Sequence, residues 1–261
     1  MLLRLILLIV FALPCFAMTK PLSGEPKIII ILDDLGYRTT DLSAFSLPTE
    51  VTFSILPETP LAHAIAQRAH QQGRTVMLHM PMQAKSDNAM GPLGLSIDMY
   101  PATITDTLRR ALKSVPYAVG VNNHMGSVFT GHANGMRTFM EEIKRQGLFF
   151  VDSRTSVYTK GHEMAQALDV PSVSRQIFLD HQKSRLFLQQ QFEKTKALAR
   201  KKGSAVVIAH PYPETLRFLA ESLPTLAKQG IRLTSVADFL YTPPLPSNVE
   251  LPSLSPSATE E

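Results

Sequence analysis

The stretch Lys27-Ile28-Ile29-Ile30-Ile31-Leu32-Asp33-Asp34 decides the fold. Four isoleucines and a leucine in a row show no polar alternation, so the strand they form is buried on both faces, as in parallel sheets covered by helices. Working outward, short apolar runs recur as strand candidates at residues 51–56, 75–80, 118–122, 148–151, 172–178 (ragged), 205–209 and 231–234. Between them lie segments of helical period. These are Leu61 to Gln72, Thr103 to Val115 with Thr103 as N-cap, Gly135 to Arg145 stopping before Gly147, Phe187 to Lys202, and Glu214 to Lys228, which Pro224 should kink or split. The alternation predicts an α/β fold.

Polar residues collect at the C-terminal ends of these strands: Asp33 and Asp34, His79, Asn122 to His124, Asp152 to Arg154, and His210. In parallel β/α sheets and barrels that rim carries the chemistry, because strands fix positions there while loops vary. Turn preferences account for the Asn and Ser residues. They do not account for His79 and His210. Adjacent carboxylates repel without a cation, so Asp33-Asp34 reads as one metal ligand beside one general base. His79, His124 and Asp34 make a two-histidine, one-carboxylate set suited to Zn²⁺ or a similar divalent ion. His210, ahead of Pro211-Tyr212-Pro213, is placed to act as a general acid. His63 and His70 fall on a helix, and His132 and His162 follow glycines in loops; none is given a site role. His181, after Asp180, has no clear place.

Composition narrows the classes. With 44% hydrophobic and 18% charged residues in 261, the chain is neither disordered throughout nor collagenous nor a coiled coil. The 26 Lys plus Arg against 22 Asp plus Glu form no basic run, so no nucleic acid partner is expected. No P-loop, dinucleotide fingerprint, His-Glu-x-x-His or Gly-x-Ser-x-Gly occurs, which removes a nucleotide cofactor, a zincin and a serine hydrolase. Arg4, the apolar Leu5 to Leu13, and then Pro14 to Ala17 read as a signal peptide over residues 1–17. Its apolar core is shorter than the roughly 20 residues of a spanning helix. The expectation is an exported, periplasmic protein with no stable membrane span after cleavage. Cys15 is the only cysteine, so any metal in residues 18–241, the expected single domain, rests on His, Asp or Glu. Residues 242–261, rich in proline and serine, are expected to be disordered. The long loop Gln83 to Pro101 is a candidate functional element.

At these residues the chain resembles the polysaccharide deacetylase superfamily of NodB homology, in particular its divergent branch from bacterial envelopes, over about Pro26 to Tyr241. Ile31-Leu32-Asp33-Asp34 is similar to the opening motif, Val51-Thr52-Phe53 to the second strand, and Ile208-Ala209-His210 to the closing motif. His79 stands in the third-strand motif, and Asn122 to Gly126 in the fourth. The resemblance implies a distorted (β/α) barrel of about seven strands, open at one side. It further implies Asp33 as catalytic base, Asp34 and His79 as metal ligands, and His210 as acid. Two departures stand out. The second histidine, four residues after the first, is replaced by Gln83, and we expect His124 to supply that ligand from the next strand. The fourth-strand arginine is missing where Asn122 lies, and Arg154 is available for its role. Backbone N–H groups near Gly126 are the expected oxyanion donors, with Asn123, Asp152 and Arg154 as further substrate contacts.

The implied activity is removal of acetyl groups from an envelope carbohydrate, dependent on a divalent metal, with zinc the expected ion. With no Trp, sugar contacts fall to Tyr, Phe and the 83–101 loop. A catalytically silent module that binds glycan or protein on the same barrel is the alternative, favoured by the lost histidine. Hydrolysis of another ester or a phosphate would use the same ligands.

Overall fold

The structure, a computed structural model, describes residues 24–86 and 89–241. The expected signal peptide and Pro/Ser-rich tail lie outside the described residues. Among the described residues there are nine parallel strands: β1 (Lys27–Leu35), β2 (Thr52–Ile55), β3 (Val76–Met82), β4 (Ala118–Met125), β5 (Phe149–Asp152), β6 (Ser172–Ser174), β7 (Ile177–Phe178), β8 (Ser204–Ala209) and β9 (Arg232–Leu233). Eight of them run in the order β6-β5-β4-β3-β2-β1-β8-β7, and β9 pairs with β1. Among the described residues seven α-helices pack around the sheet: α1 (Ala62–Gln71), α2 (Pro101–Ser114), α3 (Ala133–Arg145), α4 (Gly161–Ala167), α5 (Arg185–Lys202), α6 (Pro213–Ser222) and α7 (Val236–Tyr241). Among the described residues no helix is long and apolar enough to cross a membrane.

The sheet is a curled (β/α) barrel. Its edge strands β6 and β7 are separated only by Arg175 and Gln176, whose N–H groups donate to Asp152 O on one side and Val206 O on the other. Residues 172–178 therefore span the gap between β5 and β8. This is why that stretch reads as one ragged strand: it changes partners half-way. Counted as one, with β9 as an appendage, the barrel has the seven strands expected.

Strand parity builds both the core and the site. Successive side chains alternate faces. Ile28, Ile30 and Leu32 join the large outer core under the helices, whereas Ile29 and Ile31 point inward to Met77, Phe149, Val151, Val206 and Ile208. Val236 of α7 closes that inner cluster from below. Followed upward, the inward series continues from Ile31 to Asp33, from Met77 to His79, from Val151 to Ser153, and from Ile208 to His210. The polar residues at the mouth are the next inward positions of apolar strands.

Helix ends differ in places from the sequence reading. Tyr100, not Thr103, is the N-cap of α2, because Pro101 fits the first helical position, where its missing N–H costs nothing. α3 begins at Ala133 rather than Gly135, with His132 as N-cap accepting from the Gly135 N–H. The Pro224 break is as expected: α6 stops at Ser222 and two short 3-10 turns follow.

Candidate metal centre and active site

Asp33 ends the inward series of β1 and is 2% exposed. An ionised carboxylate buried alone costs several kcal/mol, so its partners matter. Its Oδ1 accepts from Asn122 Nδ2 at 2.9 Å, and its Oδ2 lies 3.7 Å from His79 Nε2. Asp34 would point away under strict alternation. A left-handed backbone, φ 60°, turns it back toward the mouth.

There three ligand atoms converge. Asp34 Oδ1 lies 3.1 Å from His79 Nε2 and 2.9 Å from His124 Nδ1, and the two nitrogens are 3.1 Å apart. Asp34 Oδ1 is nonetheless buried without a hydrogen bond of acceptable geometry. Bonds of about 2.0–2.1 Å to a divalent ion set tetrahedral ligands roughly 3.3 Å apart, close to this triangle. The donor set is hard and mixed, O and N without sulfur, which suits Zn²⁺ and its first-row neighbours. The residues fit a divalent ion. His124 is brought to His79 because Pro81 pairs with His124 and His79 with Asn122, so Asn122 and His124 are successive inward positions on the adjacent strand.

Gln83 takes no part in this set. Its Oε1 accepts from the Ile97 N–H at 2.9 Å, and its carbonyl from Val128 and Phe129. It pins the 83–100 loop to β3 and to the loop after β4.

Asn122, fully buried, holds the wall together. Its Nδ2 must face the acceptor-only carboxylate of Asp33, so Oδ1 faces His79 Nδ1 at 2.8 Å and Ser54 Oγ at 2.6 Å. His79 Nδ1 is thereby the protonated nitrogen, leaving the Nε2 lone pair for the centre. Without an ion, burial opposes charge on His79, but Asp33 and Asp34 outweigh it and raise its pKa from 6.5 to about 9. Burial likewise opposes charge on Asp34, yet His124 and His79 hold its carboxyl far below the usual range.

His210 faces this triangle across the cleft, with Nε2 3.8 Å from Asp34 Oδ2. Its Nδ1 meets Asp180 Oδ1 at 3.0 Å, while Asp180 Oδ2 accepts from the His210 N–H and Thr215 Oγ1. Burial disfavours the imidazolium, but the bond to and charge of Asp180 prevail and raise its pKa.

The cleft, about 390 Å³, is lined by Asp33, Asp34, His79, His124 and His210, and also by Asn123 and Arg154. Asp152 and Gly126 are not among its lining. Asp152 is buried and accepts from Arg154 N, Thr159 Oγ1 and His162 N, so it shapes the loop instead of meeting a substrate. Gly126, at φ 88°, is hemmed by Thr130 and Met82. Asn123 spends its amide on Ser153 N and Met125 O. Arg154 does not reach Asp33; Asn122 holds that carboxylate. The sequence reading passed over Asp180 and Arg175. Asp180 carried a usable signal, since it follows Ile177-Phe178-Leu179 as Asp33 follows its own apolar run.

Residues 30–240 match the family model described as divergent polysaccharide deacetylase. The chain belongs to that family. It is 35% identical to the uncharacterized protein YibQ of Escherichia coli (strain K12), over 84% of this chain and 70% of that one. The structure of the uncharacterized protein ATU2773 from Agrobacterium tumefaciens C58 superposes with a TM-score of 0.80 at 21% identity, covering 83% of this chain and 90% of that one. The catalytic domain of a peptidoglycan N-acetylglucosamine deacetylase from Eubacterium rectale ATCC 33656 shares the fold at a TM-score of 0.55 and 12% identity, covering 84% and 93%. The polysaccharide deacetylase fold expected from the motifs is thus present.

Proposed function

We propose that this member of the family is a metal-dependent hydrolase that removes acetyl groups from an envelope carbohydrate, acting after export. One observation carries the reading: a three-ligand set, a buried carboxylate and a carboxylate-paired histidine meet in a single cleft. Asp34, His79 and His124 would hold a divalent ion such as Zn²⁺, which when bound would supply Lewis acidity toward an acyl carbonyl and lower the pKa of water. Asp33, fixed by Asn122, accepts the proton of the attacking water. His210, whose imidazolium form is favoured by Asp180, presents Nε2 to donate to the departing amine or alkoxide. Base and acid approach the centre from different strands, β1 and β8, a separation that glycan binding alone does not require.

The test is acetate release from N-acetylglucosamine oligomers and from an O-acetylated xylan by the full mature chain loaded with Zn²⁺, Co²⁺ or Mn²⁺. Activity is expected, with Asp33→Asn slowing turnover by about 10²–10⁴-fold at unchanged metal content. Stoichiometric metal without acetate from any glycan would overturn the reading.

A further inference from the structure

The cleft has a second wall that the deacetylation reading leaves unused. Arg154, just after β5, and Arg175, at the junction of β6 and β7, both line it, and among the described residues neither has a carboxylate oxygen within 4.0 Å. This wall is built. Arg175 Nε donates to Ser153 O at 2.6 Å and Nη2 to Arg154 O at 2.7 Å, and its guanidinium lies 5.3 Å from the Phe178 ring centre. Arg154 holds a left-handed backbone, φ 48°, secured by its N–H on Asp152 Oδ1 at 2.8 Å. An arginine in that conformation is uncommon, and the bonds from Asp152 and Arg175 keep it there. The two cations also feel each other: burial first, and then the charge of Arg154, disfavour the charged form of Arg175.

Asp152 and Asp33 lie near enough to favour the charged form of Arg175, but neither brings an oxygen within 4.0 Å of either guanidinium, and Asp34 is committed to His79 and His124. A neutral sugar leaves the half-buried Arg175 and the exposed Arg154 without a carboxylate partner on one wall of the cleft, where an oxyanion would take a charge-assisted bond from Arg154 in the field of Arg175.

We propose that Arg154 and Arg175 form an anion subsite, and that the substrate is an acidic glycan carrying a carboxylate or phosphate next to the acetylated sugar. This rests on the cleft being the glycan site proposed above. Arg154 is the contact residue, and Arg175 adds charge and holds the Arg154 turn.

The experiment compares three tetramers: neutral N-acetylglucosamine, the same backbone with lactyl ether carboxylates on alternate sugars, and a 6-phosphorylated form. Each is assayed for acetate release with the zinc-loaded full chain and for binding by calorimetry with the Asp33→Asn variant. An anionic tetramer should be preferred by roughly 10–100-fold in kcat/KM, as expected of charge-assisted hydrogen bonds. The carboxylated and phosphorylated arms tell the two sources apart. Arg154→Asn, which tolerates the left-handed backbone, should bring the ratio of anionic to neutral turnover down to about one; Arg154→Lys should keep part of the preference. The preference should also weaken as salt rises. Equal handling of neutral and anionic tetramers, or equal losses on both in Arg154→Asn, would sink the proposal. Absence of acetate release alone would count against the hydrolase, since the calorimetric preference and its loss in Arg154→Asn read the subsite independently.

Discussion

His79 and His210 face one mouth from opposite walls, and the group behind each differs. Behind His79, on the β3/β4 wall, stands the neutral amide of Asn122, at 2.8 Å from Nδ1. Behind His210, on the β7/β8 wall, stands the carboxylate of Asp180, at 3.0 Å. An amide fixes a tautomer without adding charge, so the far nitrogen keeps its lone pair for an ion. A carboxylate stabilises the imidazolium, so the far nitrogen keeps a proton to give. In the function proposed above, the partner at its back is what divides the same side chain between two tasks.

The comparison breaks most visibly at the ligands. His79→Ala and His124→Ala should each lower zinc affinity by well over about 100-fold, more than loss of an outer-shell partner does; metal content by mass spectrometry and a calorimetric titration read this directly. Retained stoichiometric zinc in either variant would break the triangle. Next, Asp180→Asn should cut turnover by about 10²–10⁴-fold with zinc bound as before. Because His210 loses the charge that raises its pKa, the alkaline limb of the pH–rate profile should move to lower pH. Loss of rate with an unmoved limb would make Asp180 a purely structural group.

Asn122→Ala should weaken zinc by about 10–100-fold, since it frees the His79 ring. It also strands buried Ser54 and Asp33, so thermal unfolding should show a loss of about 1–3 kcal/mol. Smaller and pH-dependent is the proton coupled to metal. In the metal-free chain His79 has its pKa raised from 6.5 to about 9, so zinc binding at neutral pH should release close to one proton from it. Calorimetry in buffers of different ionisation enthalpy counts that proton. Linkage has the same origin: a raised folded pKa gives a contribution complete below pH 6.5 and lost as pH rises through about 9. The metal-free chain should therefore lose melting temperature over that interval, and zinc should remove most of the dependence. Least of all, Gln83→Ala should cost about 1 kcal/mol through the lost Ile97 bond and leave zinc affinity unchanged.

Much of the site was legible because strand parity is a local rule. A fully apolar run must be inside, and the polar residue that ends it is carried to the mouth whatever its partners; Asp33, His79 and His210 follow from that. Asp180 obeyed the same rule on a two-residue strand, too short to draw notice. Arg175 gave no signal, since a cation in a ragged strand reads as an edge residue until the chain is seen to change partners there. Asp152 shows the converse, because placement at the rim does not say whether a side chain turns into the cleft or beneath the loop.

The sequence by itself determined the α/β layering, the family and the set of chemically capable residues, through periodicities that depend only on neighbours along the chain. Tertiary structure alone decided that His124 stands beside His79 while Gln83 ties down a loop, that Asn122 and Asp180 divide the histidines into two kinds, and that two arginines share a wall. Those facts are set by strand register and by the curl of the sheet. They join residues far apart in sequence through packing that no local pattern encodes, as the separation of 89 positions between Asp33 and Asn122 illustrates.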